Sequence, residues 1–350
     1  MKTLFYSLAA FLLALSASAQ TSAAPDPDSA TFDPDGTAHI IRVVPMPATV
    51  SPEAQQWLKE IEHQGSQSND LAEIRKGTDE WRKRDSAEAL RLYPVKVEAK
   101  NIAGVQTDII TPIDAPDAKT KRVLINLHGG GFISDSGSLI EGIPIAYLTK
   151  IRIVSVYYRL APENPFPAAV DDVVAVYKEL LKTYQPRSIG IFGTSAGAIL
   201  TGEVAVKLKQ SGLPLPAALG MFSTLADFSH PADSQQLFAL NGLSGNLEPQ
   251  TSDRPHDEQY VGKTDPKYPV LSPLFADLQG FPPCLLVTST HDLLLSNTSI
   301  FHRALLRANV NAQLVVFEAL PHAFWYHFQL PETKEALQIM ANFFDENVGK

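Results

Sequence analysis

Short apolar, β-branched runs recur along this chain, separated by stretches whose apolar residues keep a helical period. The runs at 123–127, 151–157, 188–192, 217–222, 284–288 and 314–317 predict strands. Among the helices, the clearest follows from Val170, Val173, Val174, Tyr177, Leu180, Leu181 and Tyr184, which share one face of a 3.6-residue period. Upstream, Ser51-Pro52-Glu53 sets a capping serine and a first-turn proline at the start of a helix running to about residue 63. A second helix is predicted over 71–92. Continuous apolar strands between amphipathic helices belong to a mainly parallel sheet covered on both faces, so the expected class is α/β. The stretch 225–273 breaks the rhythm with Asn, Gly, Ser, Pro and Asp and carries no convincing buried strand. It reads as an insertion. Together with the helical part at 49–93 it is expected to cap the carboxyl edge of the sheet, where open α/β sheets bind ligands. The sheet domain is then 94–224 joined to 274–350, with no internal repeat.

Composition narrows the partners. The 350 residues are 45% hydrophobic and carry a formal net charge of −9, enough for a sizeable core and without the basic footprint of a nucleic-acid or anionic-membrane binder. A small-molecule partner is expected, with the oligomeric state, homodimer included, left open. Lys2 precedes an apolar stretch over 4–15, and Ala17-Ser18-Ala19 then offers small residues for a signal peptidase. Twelve helical residues span only about 18 Å, short of a roughly 30 Å hydrocarbon core. Residues 1–19 are therefore expected to be a signal peptide, the mature protein exported to periplasm or medium with no stable membrane anchor. Residues 20–48 read as a poorly ordered lead-in. The single cysteine, Cys284, excludes an intramolecular disulfide and lies in an apolar run as a buried strand residue would.

Candidate chemistry begins with Gly193-Thr194-Ser195-Ala196-Gly197, placed between a predicted strand and a helix over 196–209. A nucleophile on such a turn takes an unusual backbone conformation, and glycines two positions either side relieve the crowding. Its hydroxyl then stands at a helix N-terminus, which favours negative charge. The plain alternative is a flexible glycine turn with a serine cap. The strand at 123–127 runs into His128-Gly129-Gly130-Gly131-Phe132. Successive glycines let main-chain N–H groups turn toward one point, as a tetrahedral oxyanion requires, and Gly130, Gly131 and Ala196 are the expected donors. A phosphate loop is the competing reading, but neither a following Lys-Ser/Thr pair nor dinucleotide spacing is present. His128 is expected to hold this loop rather than act as a base.

In the order Ser, acid, His, both later members follow the last strands. His322, in Leu320-Pro321-His322-Ala323-Phe324, fits as base, with His327 as runner-up and more suited to packing. Asp292 fits as the acid that orients it, with Glu318 and Asp277 as weaker alternatives. His291 beside Asp292 lacks a second ligand cluster at metal spacing, so no metal and no cofactor is expected.

These residues resemble the hormone-sensitive-lipase-like esterases of the α/β-hydrolase superfamily. The resemblance rests on His128 to Phe132, on Tyr158-Arg159-Leu160-Ala161-Pro162-Glu163 with Phe166-Pro167-Ala168-Ala169 and Asp171-Asp172, on Gly193 to Gly197, on Asp292-Leu293-Leu294 and on His322. It covers most of the chain from about residue 95. It implies a lidded carboxylesterase of the α/β-hydrolase fold, with Ser195, Asp292 and His322 as triad and Gly130, Gly131 and Ala196 as oxyanion donors. Thr194 stands where many members carry an acid. Leu293-Leu294-Leu295-Ser296 after Asp292, and Ala323 after His322, depart modestly from the usual pattern and put only the pocket wall in question. Arg159 and Asp172 are expected to anchor their loop. Phe132, Thr194, Phe324 and Trp325 are expected at the substrate pocket, with Tyr326 in support. Short- to medium-chain esters are the expected substrates and lactones the alternative. A non-catalytic ligand-binding relative is disfavoured by the retained His322, and nothing suggests a peptidase.

Overall fold

The computed structural model describes residues 28–61, 70–116, 119, 121–243 and 259–349. The expected signal peptide at 1–19 lies outside them. The chain divides into two compact units, Met1–Met46 and Pro47–Lys350. In the first, β1 (Ser29–Phe32) pairs antiparallel with β2 (Ala38–Ile41), every residue of both exposed. The lead-in thus contains a hairpin that the sequence reading missed. Its signal was Asp33-Pro34-Asp35-Gly36: Gly36 takes φ 93°, and the Asp35 carboxylate accepts from the Thr37 N–H at 2.9 Å.

The second unit is built on an eight-stranded sheet. Its strands are β3 (Val95–Ile102), β4 (Val105–Pro112), β5 (Val123–Leu127), β6 (Arg152–Val156), β7 (Ile189–Thr194), β8 (Ala218–Phe222), β9 (Cys284–Ser289) and β10 (Ala312–Phe317). The spatial order is β10-β9-β8-β7-β5-β6-β4-β3, parallel from β10 to β6 and antiparallel at β4 and β3. All six predicted strands form, their ends shifted by a residue or two. The β3–β4 hairpin was not predicted. Val95-Lys96-Val97-Glu98 alternates as a half-exposed edge strand does rather than running apolar, and its turn is Ala103-Gly104, both at positive φ.

Strand alternation feeds two separate cores. Ile125, Ile191, Met221 and Leu286 point to the side covered by α4 (Ala168–Leu180), α5 (Ala196–Gln210) and α7 (Leu295–Arg307). Leu124, Phe192, Phe222 and Leu285 point to the side covered by α3 (Ser138–Thr149) and α8 (Pro331–Asn347). Burial on both faces explains why these strands read as unbroken apolar runs.

The N-terminal helices α1 (Pro52–Ile61) and α2 (Leu71–Leu92) lie on the α3/α8 side, α2 against α3 and α1 against α8. In the expected insertion, the described residues form a short helix, α6 (Asp233–Leu237), and no regular strand. It docks on the start of α7 through Ser234 Oγ to the Leu293 carbonyl at 2.8 Å and Asn297 Nδ2 to Gln235 Oε1 at 2.8 Å.

Helix α1 is anchored at its N-cap, Ser51. Ser51 Oγ accepts from the Ala54 N–H at 3.1 Å, while its own N–H and hydroxyl donate to the two carboxylate oxygens of Glu332 at 2.7 and 2.9 Å. Ser51→Ala removes the cap and one of those charge-assisted bonds, so a loss of about 1–2 kcal/mol is expected, read as a lower midpoint in thermal and urea unfolding.

Candidate active site

The turn from β7 to α5 puts Ser195 at φ 59°, ψ −121°, a conformation that a non-glycine residue holds only under constraint from its surroundings. Its N–H donates to the Phe222 carbonyl at 2.9 Å. The flanking glycines make the constraint possible. A Cβ at Gly197 would stand 2.6 Å from the Leu127 carbonyl carbon and 2.7 Å from the His128 carbonyl oxygen, and one at Gly193 would strike the Leu127 carbonyl oxygen. From Ile189 to Val206, Ser195 is the one residue that is not buried.

β5 lies beside β7, with Leu127 paired to Gly193, so the glycine loop leaving β5 abuts this turn. The sheet reverses its winding there, since β5 leads on to β6 on one side and has β7 on the other. Gly130 (φ 102°) and Gly131 (φ 58°) turn the chain, and the N–H groups of Ile133 and Ser134 both donate to the Gly130 carbonyl at 3.1 Å. Among the described residues, the N–H groups of Gly130, Gly131 and Ala196 have no protein acceptor. His128 stacks on Tyr158 with centroids 4.0 Å apart, and the Tyr158 hydroxyl donates to the His128 carbonyl at 2.7 Å. It holds the loop, as expected.

Two arginines fasten the surroundings. Arg75 of α2 donates to the Ile133 carbonyl at 2.7 Å and the Ala161 carbonyl at 2.9 Å, and grips both carboxylate oxygens of Glu163 at 2.8 and 2.7 Å. The Arg75 side-chain bonds hold the Glu163 carboxyl down at about 2. Arg159 Nε reaches Asp172 at 3.0 Å, the anchor expected for that loop.

Asp292 follows β9 and His322 follows β10, and the two meet: His322 Nδ1 lies 2.9 Å from Asp292 Oδ1. Asp292 is wholly buried. Its Oδ1 also accepts from the Leu294 N–H at 2.9 Å, and its Oδ2 accepts from the hydroxyls of Ser223 and of Thr288, the latter at 3.0 Å. Burial by itself raises such a carboxyl, but the His322 ring and these donors outweigh it and hold Asp292 below its ordinary value. With Nδ1 engaged, Nε2 is the ring nitrogen left for chemistry. The insertion reaches this loop, since the His322 N–H donates to the Leu240 carbonyl at 3.2 Å.

The alternatives lie elsewhere. Glu318 is exposed, and Asp277 pairs with Lys209 at 2.8 Å. His327 packs against Trp57, ring centroids 4.1 Å apart and tilted by 44°, beside a recess of about 540 Å³ between α1, α2 and 326–330, and burial pushes its ring down to about 4. Cys284 is buried in β9, its thiol pushed up by burial.

The pocket residues need correction. Phe324 and Trp325 are fully buried in the core on the α3/α8 side, where Trp325 Nε1 donates to Thr194 Oγ1 at 3.0 Å, so they support the site from beneath rather than lining an open wall. Thr194 is buried with them. Phe132 is covered by Tyr260 of the insertion, the two rings stacked at 3.5 Å. Sequence reading missed three buried polar residues: Ser223 on Asp292, and Glu141 with its partner Asn126. The Glu141 signal was a lone carboxyl inside the apolar stretch Ile140-Glu141-Gly142-Ile143-Pro144-Ile145-Ala146. Among the described residues no group of three or more His, Cys, Asp or Glu is placed to hold a metal ion.

Comparison with known proteins identifies the family and the fold. The family model of the alpha/beta hydrolase fold matches residues 124–326. An acetyl-hydrolase of Streptomyces hygroscopicus is 32% identical over 243 residues, 67% of this chain and 79% of that protein. An esterase of Acinetobacter venetianus is 28% identical over 272 residues, 72% and 84% of the two chains. Among solved structures, esterase E25 superposes with a TM-score of 0.74 at 30% identity, covering 88% of this chain and 98% of that one. An esterase from the bacterial hormone-sensitive lipase family gives 0.72 at 30% identity, covering 85% and 99%. The chain belongs to the α/β-hydrolase family and, within it, to the hormone-sensitive-lipase-like carboxylesterases.

Proposed function

We propose that this carboxylesterase works through Ser195 as nucleophile, His322 as general base and Asp292 as the group that orients and charges the ring's partner side. The observation that carries the reading is the strained, solvent-reached Ser195 in an otherwise buried strand–turn–helix, with a complete His322–Asp292 pair after the neighbouring strands. His322 Nε2 takes the hydroxyl proton as Ser195 Oγ attacks the ester carbonyl. The N–H groups of Gly130, Gly131 and Ala196, which have no acceptor among the described residues, receive the developing oxyanion. The ionised Asp292 stabilises the imidazolium, which then protonates the leaving alcohol. Water enters by the same route and releases the acid from the acyl-enzyme.

Short- to medium-chain carboxylic esters are the proposed substrates, in line with relatives described as an acetyl-hydrolase and an esterase. A panel of acyl lengths run beside a lactone panel on the mature protein separates esters from lactones. Export is proposed on the leading 19 residues and is checked by N-terminal sequencing of periplasmic material, where a retained Met1 would exclude cleavage.

Two variants test the triad. Wild type is expected to react with a fluorophosphonate probe and Ser195→Ala to show neither labelling nor more than about 10⁻⁴ of the esterase rate; labelling of the folded variant would sink the assignment. Asp292→Asn keeps the shape but offers the ring an amide, so kcat is expected to fall about 10⁴-fold in a steady-state ester assay.

A further inference from the structure

The chemistry above leaves one buried carboxyl unused at the meeting point of the catalytic segments. Glu141 sits in the first turn of α3, the helix that follows the glycine loop, and is wholly buried. Its Oε1 accepts from the Thr194 hydroxyl, and its Oε2 from Asn126 Nδ2 at 3.1 Å. Thr194 is the residue before Ser195, and its hydroxyl oxygen also accepts from Trp325 Nε1 at 3.0 Å. Asn126 lies two residues before His128, and its Oδ1 accepts from Ser155 Oγ on β6 at 2.9 Å. Trp325 lies three residues after His322. One side chain therefore ties together the strand entering the glycine loop, the turn bearing the nucleophile and the segment bearing the base.

We propose that Glu141 is a positioning residue for ester hydrolysis, acting through Thr194 to fix the turn that presents Ser195 and, through Trp325, the segment that carries His322. The inference rests on the reading of Ser195 as nucleophile.

Two physical arguments favour this role over simple packing. A turn held at φ 59°, ψ −121° persists only where its neighbours over-determine it. The Thr194 hydroxyl is a side-chain restraint at that turn and is engaged as both donor and acceptor. The second argument is cost. Burial pushes the Glu141 carboxyl up to about 8, against the opposing hydrogen bonds from Thr194 and Asn126. An apolar side chain of similar volume would avoid that penalty, so a carboxyl kept here without a charged partner is better explained by the geometry it imposes.

The test uses p-nitrophenyl acetate kinetics, the rate of fluorophosphonate labelling and thermal melting on the full chain. Glu141→Ala and Thr194→Val each break the link. Each is expected to lower kcat about 10- to 100-fold, with KM within about twofold and labelling slowed in step. Glu141→Gln keeps an acceptor for Thr194, and rotation of the Asn126 amide accommodates its NH₂. Thr194→Ser keeps the hydroxyl. Both are expected within about threefold of wild type. The double variant Glu141→Ala/Thr194→Val is expected to be no slower than the slower single one, since both cut the same link. Full kcat in folded Glu141→Ala or Thr194→Val would overturn the proposal, as would a loss confined to KM or a Gln variant as slow as the Ala variant. If Glu141→Ala does not fold, the Thr194→Val and Thr194→Ser pair decides. Activity surviving in Ser195→Ala would instead overturn the reading of the nucleophile.

Discussion

No side chain fits between the Leu127 carbonyl at the end of β5 and the α-carbons of Gly193 and Gly197 on either side of Ser195. That close approach lets the Ser195 turn lie directly against the glycine loop, so that Ser195 and the N–H groups of Gly130, Gly131 and Ala196, which have no acceptor among the described residues, share one edge of the sheet. The parallel order of β5, β7, β8, β9 and β10 brings the remaining parts to the same edge. Asp292 arrives from β9 and His322 from β10, and the hydroxyls of Ser223 and Thr288 hold the far oxygen of Asp292. Residues outside the sheet and its covering helices reach the site at defined points: Arg75 on the Ile133 carbonyl, Leu240 on the His322 N–H and Tyr260 over Phe132.

Two wholly buried carboxyls beside this edge show how partners decide charge. Asp292 has a histidine ring, two hydroxyls and an amide N–H around it, enough to offset desolvation and keep it ionised. Glu141 has one hydroxyl and one amide and, among the described residues, no cationic neighbour, so desolvation prevails and its proton is retained to about 8. The same side-chain chemistry thus supplies an anion beside His322 and a neutral tie beneath the Ser195 turn. The difference comes from what the fold places within hydrogen-bond reach.

Much of this was legible in the chain. Strands buried on both faces read as apolar runs, and their six positions followed. The β1–β2 and β3–β4 hairpins did not, because exposed or edge strands carry polar residues at every second place or are too short to show a period. Phe324 and Trp325 were misplaced for a related reason. An aromatic run after the histidine suits a pocket wall or a packed core equally well, and only the position of α3 and α8 showed that it is core.

The sequence by itself determined the fold class, singled out Ser195, Asp292 and His322 as candidates, and showed the glycines that leave room around Ser195. These are local matters, since a glycine, a strand end or a helix start announces itself within a few residues. Only the tertiary structure decided that Asp292, not Glu318 or Asp277, meets His322, that Ser223 supports it, and that Glu141 reaches Thr194 across 53 positions of chain. Those contacts depend on the lateral order of strands and the packing of helices across them, which no spacing along the chain records.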